Sequence, residues 1–130
     1  MTDKKDEVYG DHISHKFNDE LMDLKTEFLK MGGLVESQVD RAIQALINSD
    51  SQLGEEVRAG DKRVDRMEMD IDEEATLIIA RRQPTARDLR LVISVIKMVA
   101  DLERVGDEAK KIAKFAIKLA EDGQAPRGYL

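Results

Sequence analysis

The chain has 130 residues, enough for one domain with a sizeable core, and combines 37% charged residues with 4% aromatics, two prolines and no tryptophan or cysteine. That balance favours long amphipathic helices over a sheet, because strands draw on β-branched and aromatic residues between frequent turns. A net charge of −6 argues against a nucleic-acid backbone as partner; the missing cysteines exclude disulfides and thiolate metal sites and fit a cytoplasmic protein.

Residues 1–13 are charged and aperiodic and are expected to form a flexible N-terminal segment. They do not read as a signal peptide, and nowhere does an apolar run approach the roughly 20 residues a membrane span needs. His12 and His15, the only histidines, lack clustered partners and are read as bystanders. From about Ser14 the pattern turns helical. Phe17, Leu21, Leu24, Phe28, Met31, Val35, Val39, Ala42 and Leu46 alternate spacings of three and four, which predicts one long helix to about Asn48. Gly32 and Gly33 interrupt its seam at roughly 2 kcal/mol relative to alanines, so a bend or a close helix contact is expected there.

Asn48-Ser49-Asp50-Ser51 supplies capping residues for a turn. The second predicted helix carries Leu53, Val57, Val64, Met67, Ile71, Ala75 and Ile78 on its stripe, with Gly54 and Gly60 weakening its first half. It ends at Arg81-Arg82, cations suited to a helix C-terminus, and Gln83-Pro84 stops it. Thr85-Ala86-Arg87-Asp88 comes close to a capping box and opens a third helix to about Asp122, with Gly123 as its stop and residues 123–130 as a tail. Residues 91–99 are apolar almost all round and are predicted to be the most buried segment. Ala109, Ala113, Ala116 and Ala120 form a slim face with no obvious partner on the other two helices. The fold class is all-α, a three-helix antiparallel bundle.

Carboxylates break the apolar register of the third helix. Leu89, Ile96 and Glu103 recur every seven residues, as do Ile93, Ala100 and Asp107. Like charges one turn apart repel, and buried carboxylates are costly unless paired or metal-bound. Gly106, between them, costs about 1 kcal/mol against alanine and points to a close approach. On the second helix Asp61, Asp65, Glu68 and Asp72 follow one edge, offset by about 100° from the apolar stripe. Counted outward from the turn at residues 83–84, Asp61 and Asp65 stand level with Glu103 and Asp107, roughly 30 Å away. Two acid-x-x-x-Asp pairs therefore face one another across a groove. Either they are two solvated acidic edges, or they are oxygen ligands for a hard cation or iron. Arg81, Arg82, Arg87 and Arg90 are the one basic cluster. Arg82, Arg87 and Arg90 beside a helix N-terminus suit an anion such as phosphate; the alternative is that Arg82 serves the preceding C-terminus and the others pair with acids.

Arg82-Gln83-Pro84-x-Ala86-x-Asp88-Leu89-Arg90 and Asp101-Leu102-Glu103-Arg104-Val105-Gly106-Asp107-Glu108-Ala109 closely resemble the PhoU family of bacterial phosphate-transport regulators. Asp61-x-x-x-Asp65-x-x-Glu68 and Met31-Gly32-Gly33-Leu34-Val35-Glu36 match the same pattern. The resemblance implies one three-helix repeat, residues 14–122, of a fold built from two such repeats. It implies iron or another divalent metal at Asp61, Asp65, Glu103 and Asp107, with Glu68 and Asp101 as second choices. It implies a non-catalytic adaptor that restrains the phosphate-starvation response by linking the phosphate transporter ATPase to a membrane sensor histidine kinase. Only the first repeat is present, so the chain is either part of a longer protein or a single-repeat protein. A surface that a second repeat would cover is then expected to pair two copies as a homodimer. A carboxylate-bridged iron oxidase is the rival enzyme reading; such bundles supply Glu-x-x-His motifs, and neither the second nor the third predicted helix contains a histidine.

Overall fold

Three helices, α1 (Lys4–Asn48), α2 (Ser51–Arg82) and α3 (Ala86–Glu121), make up a computed structural model that describes residues 4–123, with side chains from residue 15 onward. Each helix packs against both others, and the short connections make consecutive helices antiparallel, as the periodicity predicts. The expected tail lies outside the described residues apart from Gly123. Of the expected N-terminal segment, the backbone from Lys4 belongs to α1. Nothing in residues 4–13 forbids this, since the stretch contains no proline.

Local chemistry fixes the helix ends. Asp50 caps α2, its carboxylate accepting from the Leu53 amide at 3.0 Å. Gln83 ends α2 in the left-handed region at φ 45°, donating its amide to the Ile79 carbonyl. Thr85 is the N-cap of α3, but its hydroxyl makes no capping bond; the capping box has the right position without the side-chain contact. Gly123 follows the end of α3 with φ 69°, the left-handed conformation glycine adopts at little cost.

The main core joins Leu24, Met31 and Val35 of α1 to Val64, Ile71, Ala75 and Ile78 of α2 and Val92, Val95 and Val99 of α3. Residues 91–99 are less enclosed than their composition suggests. Only the valine stripe is buried, while Ile93 and Met98 remain exposed, because a helix touching two neighbours has a third side left over. Toward the other end, Ala42, Val57, Ala109 and Ala113 form a second, slimmer cluster. The alanine face of α3 therefore has its partners within the chain. The helices lie so close here that a β-carbon at Gly54 would fall 2.8 Å from Ile117 Cγ1 and 3.1 Å from the Ala113 carbonyl oxygen. Gly33 is the reverse, with open space where its β-carbon would be, and at Gly32 the nearest atom is Leu102 Cδ1 at 4.0 Å. Close contact falls on the α2 glycines, not on the pair in α1.

Candidate metal centre

Asp61 lies in the buried stripe of α2, not alongside it. It fills the helical position between Val57 and Val64, and only 5% of the residue is exposed. Gly106 of α3 makes room for α2 here, since a β-carbon there would lie 3.2 Å from Val64 Cγ1 and 3.7 Å from Asp61 Oδ1. The close approach expected at Gly106 is thus made by Val64, with the Asp61 carboxylate at ordinary contact distance beside it.

The α2–α3 groove brings the acids of both helices together. Burial pushes the Asp61 carboxyl up from the usual carboxylate range; Asp65 and Asp107 add to this, and Lys110 opposes it. One heptad along α2, Glu68 is half-buried and is also pushed up, by burial and then by repulsion from Glu103, Asp72 and Asp65. Across the groove Asp107 lies near enough to Asp61, and Glu103 to Glu68, for their charges to repel. Asp65 is exposed and Glu103 half-buried. Asp101 is exposed and paired with Arg104 at 3.3 Å.

Two of these carboxylates carry lysine partners. Lys110 Nζ lies 3.6 Å from Asp61 Oδ2, and Lys111 Nζ lies 3.5 Å from Asp107 Oδ2. Neither lysine figures among the candidates from sequence, although Lys110 continues the heptad of Leu89, Ile96 and Glu103 and so had to face α2. Asp72, placed on the acidic edge but not among the candidate ligands, repels Glu68 from one turn further along α2.

The acids of the groove offer only oxygen donors, the kind a hard cation takes. Glu68 Oε2 and Asp72 Oδ1 are buried without a hydrogen-bond partner, and orphaned buried acceptors of this kind are rare. Among the described residues, however, no three acidic or histidine side chains come close enough together to hold an ion. His15 is exposed, and the His12 side chain lies outside the described residues.

The arginine cluster does not form one anion cradle. Arg82 reaches across to α1 and holds Glu20 with two bonds, Nη2 to Oε1 at 2.6 Å and Nε to Oε2 at 3.3 Å. This guanidinium keeps the Glu20 carboxyl below its ordinary range. Arg81, Arg87 and Arg90 are exposed.

Comparison with known proteins places the fold. The family model for the PhoU domain matches residues 28–116. A phosphate-specific transport system accessory protein PhoU homolog from Pseudomonas aeruginosa is 56% identical over 119 residues, covering 92% of this chain and 49% of that protein. The accessory protein PhoU of Escherichia coli is 51% identical over 107 residues, covering 82% of this chain and 44% of its own length. The crystal structure of PhoU from Pseudomonas aeruginosa superposes with a TM-score of 0.83 at 57% identity, over 87% of this chain and 54% of that one. The phosphate transport system regulatory protein PhoU from Streptococcus pneumoniae gives 0.76 at 33% identity, over 82% and 50%. The chain spans about half the length of the relatives it matches. With its fold, its motifs and the greater part of its length accounted for, the chain belongs to the PhoU family.

Proposed function

We propose that this chain acts as a PhoU-type regulator, a non-catalytic accessory of phosphate uptake that restrains the phosphate-starvation response when phosphate is ample. In this reading it works in the cytoplasm, between the phosphate transporter ATPase and a membrane sensor histidine kinase. The observation that carries it is the 56% identity, over 92% of the chain, to a protein named as an accessory of phosphate-specific transport. Among the described residues no helix is long and apolar enough to cross a membrane, which is compatible with an adaptor that meets membrane proteins from outside the bilayer.

The reading includes a divalent metal, iron among the candidates, held by carboxylates of the α2–α3 groove. Asp61, Asp65, Glu103 and Asp107 are the ligands the family pattern implies, and the orphaned oxygens favour Glu68 and Asp72 beside them. When bound, the ion supplies positive charge that offsets the mutual repulsion of these acids. A phosphate-sensing role for Arg82, Arg87 and Arg90 would require Arg82 to leave Glu20. The reading also includes a homodimer, with the second copy covering the open α1–α3 groove that Val39, Ile43, Leu102 and Val105 line.

Two experiments test the function together. Purified chain is expected to capture the transporter ATPase and the sensor kinase, and its expression in cells lacking their own PhoU is expected to lower a phosphate-starvation reporter at high phosphate. Failure of both capture and repression would overturn the reading.

A further inference from the structure

On the open side of α1, Met22, Lys25, Leu29, Asp40 and Ile43 fall within about 60° of one another around the helix. All five are exposed, Met22 at 62% and Leu29 at 70%. Gly32 and Gly33 stand in the middle of this stripe, on the wall of the α1–α3 groove. Gly33 has open space where its β-carbon would be, and Gly32 has only Leu102 Cδ1 at 4.0 Å, so no close contact within the chain accounts for the pair. How near two helices come depends on the side chains at their crossing, and here there are none.

The charges beside the groove are self-complementary about a single height. Counted from the point between Gly32 and Gly33, Lys25 on one side matches Asp40 on the other, and Met22 matches Ile43. On α3, counted from the point between Leu102 and Glu103, Lys97 matches Glu108 and Asp101 matches Arg104, and all four are exposed. The two midpoints are level, because Gly32 faces Leu102. Both α1 and α3 are antiparallel to α2 and so run parallel to each other. One two-fold axis, lying over the groove and perpendicular to both helices, therefore brings opposite charges together on both. A two-fold contact requires this kind of self-complementarity.

We propose that two copies of the chain pair face to face through this groove, with α1 crossing the second copy's α1 antiparallel at Gly32–Gly33 and α3 lying against the second copy's α3. The inference rests on the homodimer reading above and adds its geometry. Lys25 meets Asp40 of the second copy twice, once on either side of the axis, and Met22 covers Ile43. The glycine pair leaves room for the crossing backbone.

The test uses the full chain, which has no cysteine of its own. Light scattering across a dilution series gives the dimer dissociation constant of the wild type, of Lys25→Glu, of Asp40→Lys and of the two combined, with circular dichroism as the check on folding. Each single reversal sets two like-charged pairs across the axis and is expected to weaken the dimer about ten-fold, while the combination restores it to within about three-fold of the wild type. In a second arm, Met22→Cys and Ile43→Cys are mixed under mild oxidation. Disulfides are expected between the two variants and not within either alone, because identical positions then lie about 30 Å apart. A combined reversal no tighter than the singles, or cross-links that form within one variant and not between the two, would overturn the antiparallel pairing and leave a dimer standing. A monomer at every concentration would overturn the homodimer reading and this inference with it, while the regulator reading answers to capture and repression.

Discussion

At Gly54 a hydrogen is all that fits between α2 and α3, whereas at Gly33 nothing stands within 4 Å of where a β-carbon would be. The same substitution should therefore have opposite signs at the two sites. Gly33→Ala removes backbone freedom from an exposed helix position and is expected to stabilise by about 1 kcal/mol. Gly54→Ala drives a methyl toward the Ala113 carbonyl, which cannot rotate away, and is expected to cost about 2 kcal/mol net of the helix gain. Thermal or urea unfolding of the two variants measures both. Glycine spacing alone did not separate these sites, because propensity assigns the same penalty to each; the neighbouring helix decides. Asp61 was misplaced by the sequence reading. Counted onto an acidic edge offset from the apolar stripe, it lies in the stripe, at the helical position between Val57 and Val64, and the usual exposure of aspartate was the misleading cue.

Glu74 of α2 gives a pH-dependent counterpart outside the metal groove. Burial raises its carboxyl above the ordinary range, and Asp23, Glu27 and Glu20 of α1 raise it further. The folded protein thus holds this proton more tightly than the unfolded chain does, so the site favours folding with the proton bound. That advantage is lost as pH rises through the folded-state value. Glu74→Gln is expected to raise the melting temperature by about 3 °C at about pH 7.5 and to leave it nearly unchanged at about pH 4. Glu20 runs the other way: Arg82 lowers its carboxyl, so its contribution is present above the unfolded-state value and fades on acidification. An equal rise at both pH values would show that the effect of Glu74→Gln is packing, not charge.

At the scale of elements, α1 and α2 are held in register by a buried polar contact. Gln38 is 2% exposed and donates its Nε2 to the Val57 carbonyl at 2.7 Å, one helical turn before Asp61. Gly60 gives this amide its room, since a β-carbon there would meet the Gln38 side chain at 3.0 Å. Gln38→Ala is expected to lose about 2 kcal/mol through the cavity and the lost bond, read as a lower urea midpoint. The helices themselves were readable because seam, caps and stops agreed: Asp50, Gln83-Pro84 and Gly123 mark ends that the structure keeps. Gln38 was not readable as a core residue. A single polar side chain within an apolar seam looks like the seam turning outward until its acceptor on another helix is known.

For the molecule as a whole, three helices bury one stripe each and leave apolar side chains over. Ile43, Met98 and Val105 are exposed at 42%, 41% and 45%, and Ile43 and Val105 line the same open groove. Clustered exposure of this kind marks an interface, and a two-fold pair is the commonest closed arrangement. Light scattering across a dilution series is expected to show a dimer that dissociates on dilution, and Val105→Glu should give a monomer that remains folded. A monomer at every concentration would contradict the pairing.

The bundle was legible because helical periodicity runs from about Ser14 to the end of α1 and along α2 and α3; the first turns of α1, from Lys4, carry no such pattern. The groove was legible only in part: chain position put acids on both α2 and α3, but which lysines reach them depends on how the helices rotate against one another. Mn²⁺ titration of the wild type against Glu68→Gln combined with Glu103→Gln tests the groove most directly. The account predicts that the wild type binds Mn²⁺ and melts higher with it, and that the double variant binds at least about ten-fold more weakly. It also predicts that the metal-free variant is no less stable than the metal-free wild type, because two repelling charges are gone. A wild type that binds no Mn²⁺ up to about 1 mM, or a double variant that binds it undiminished, would contradict the account.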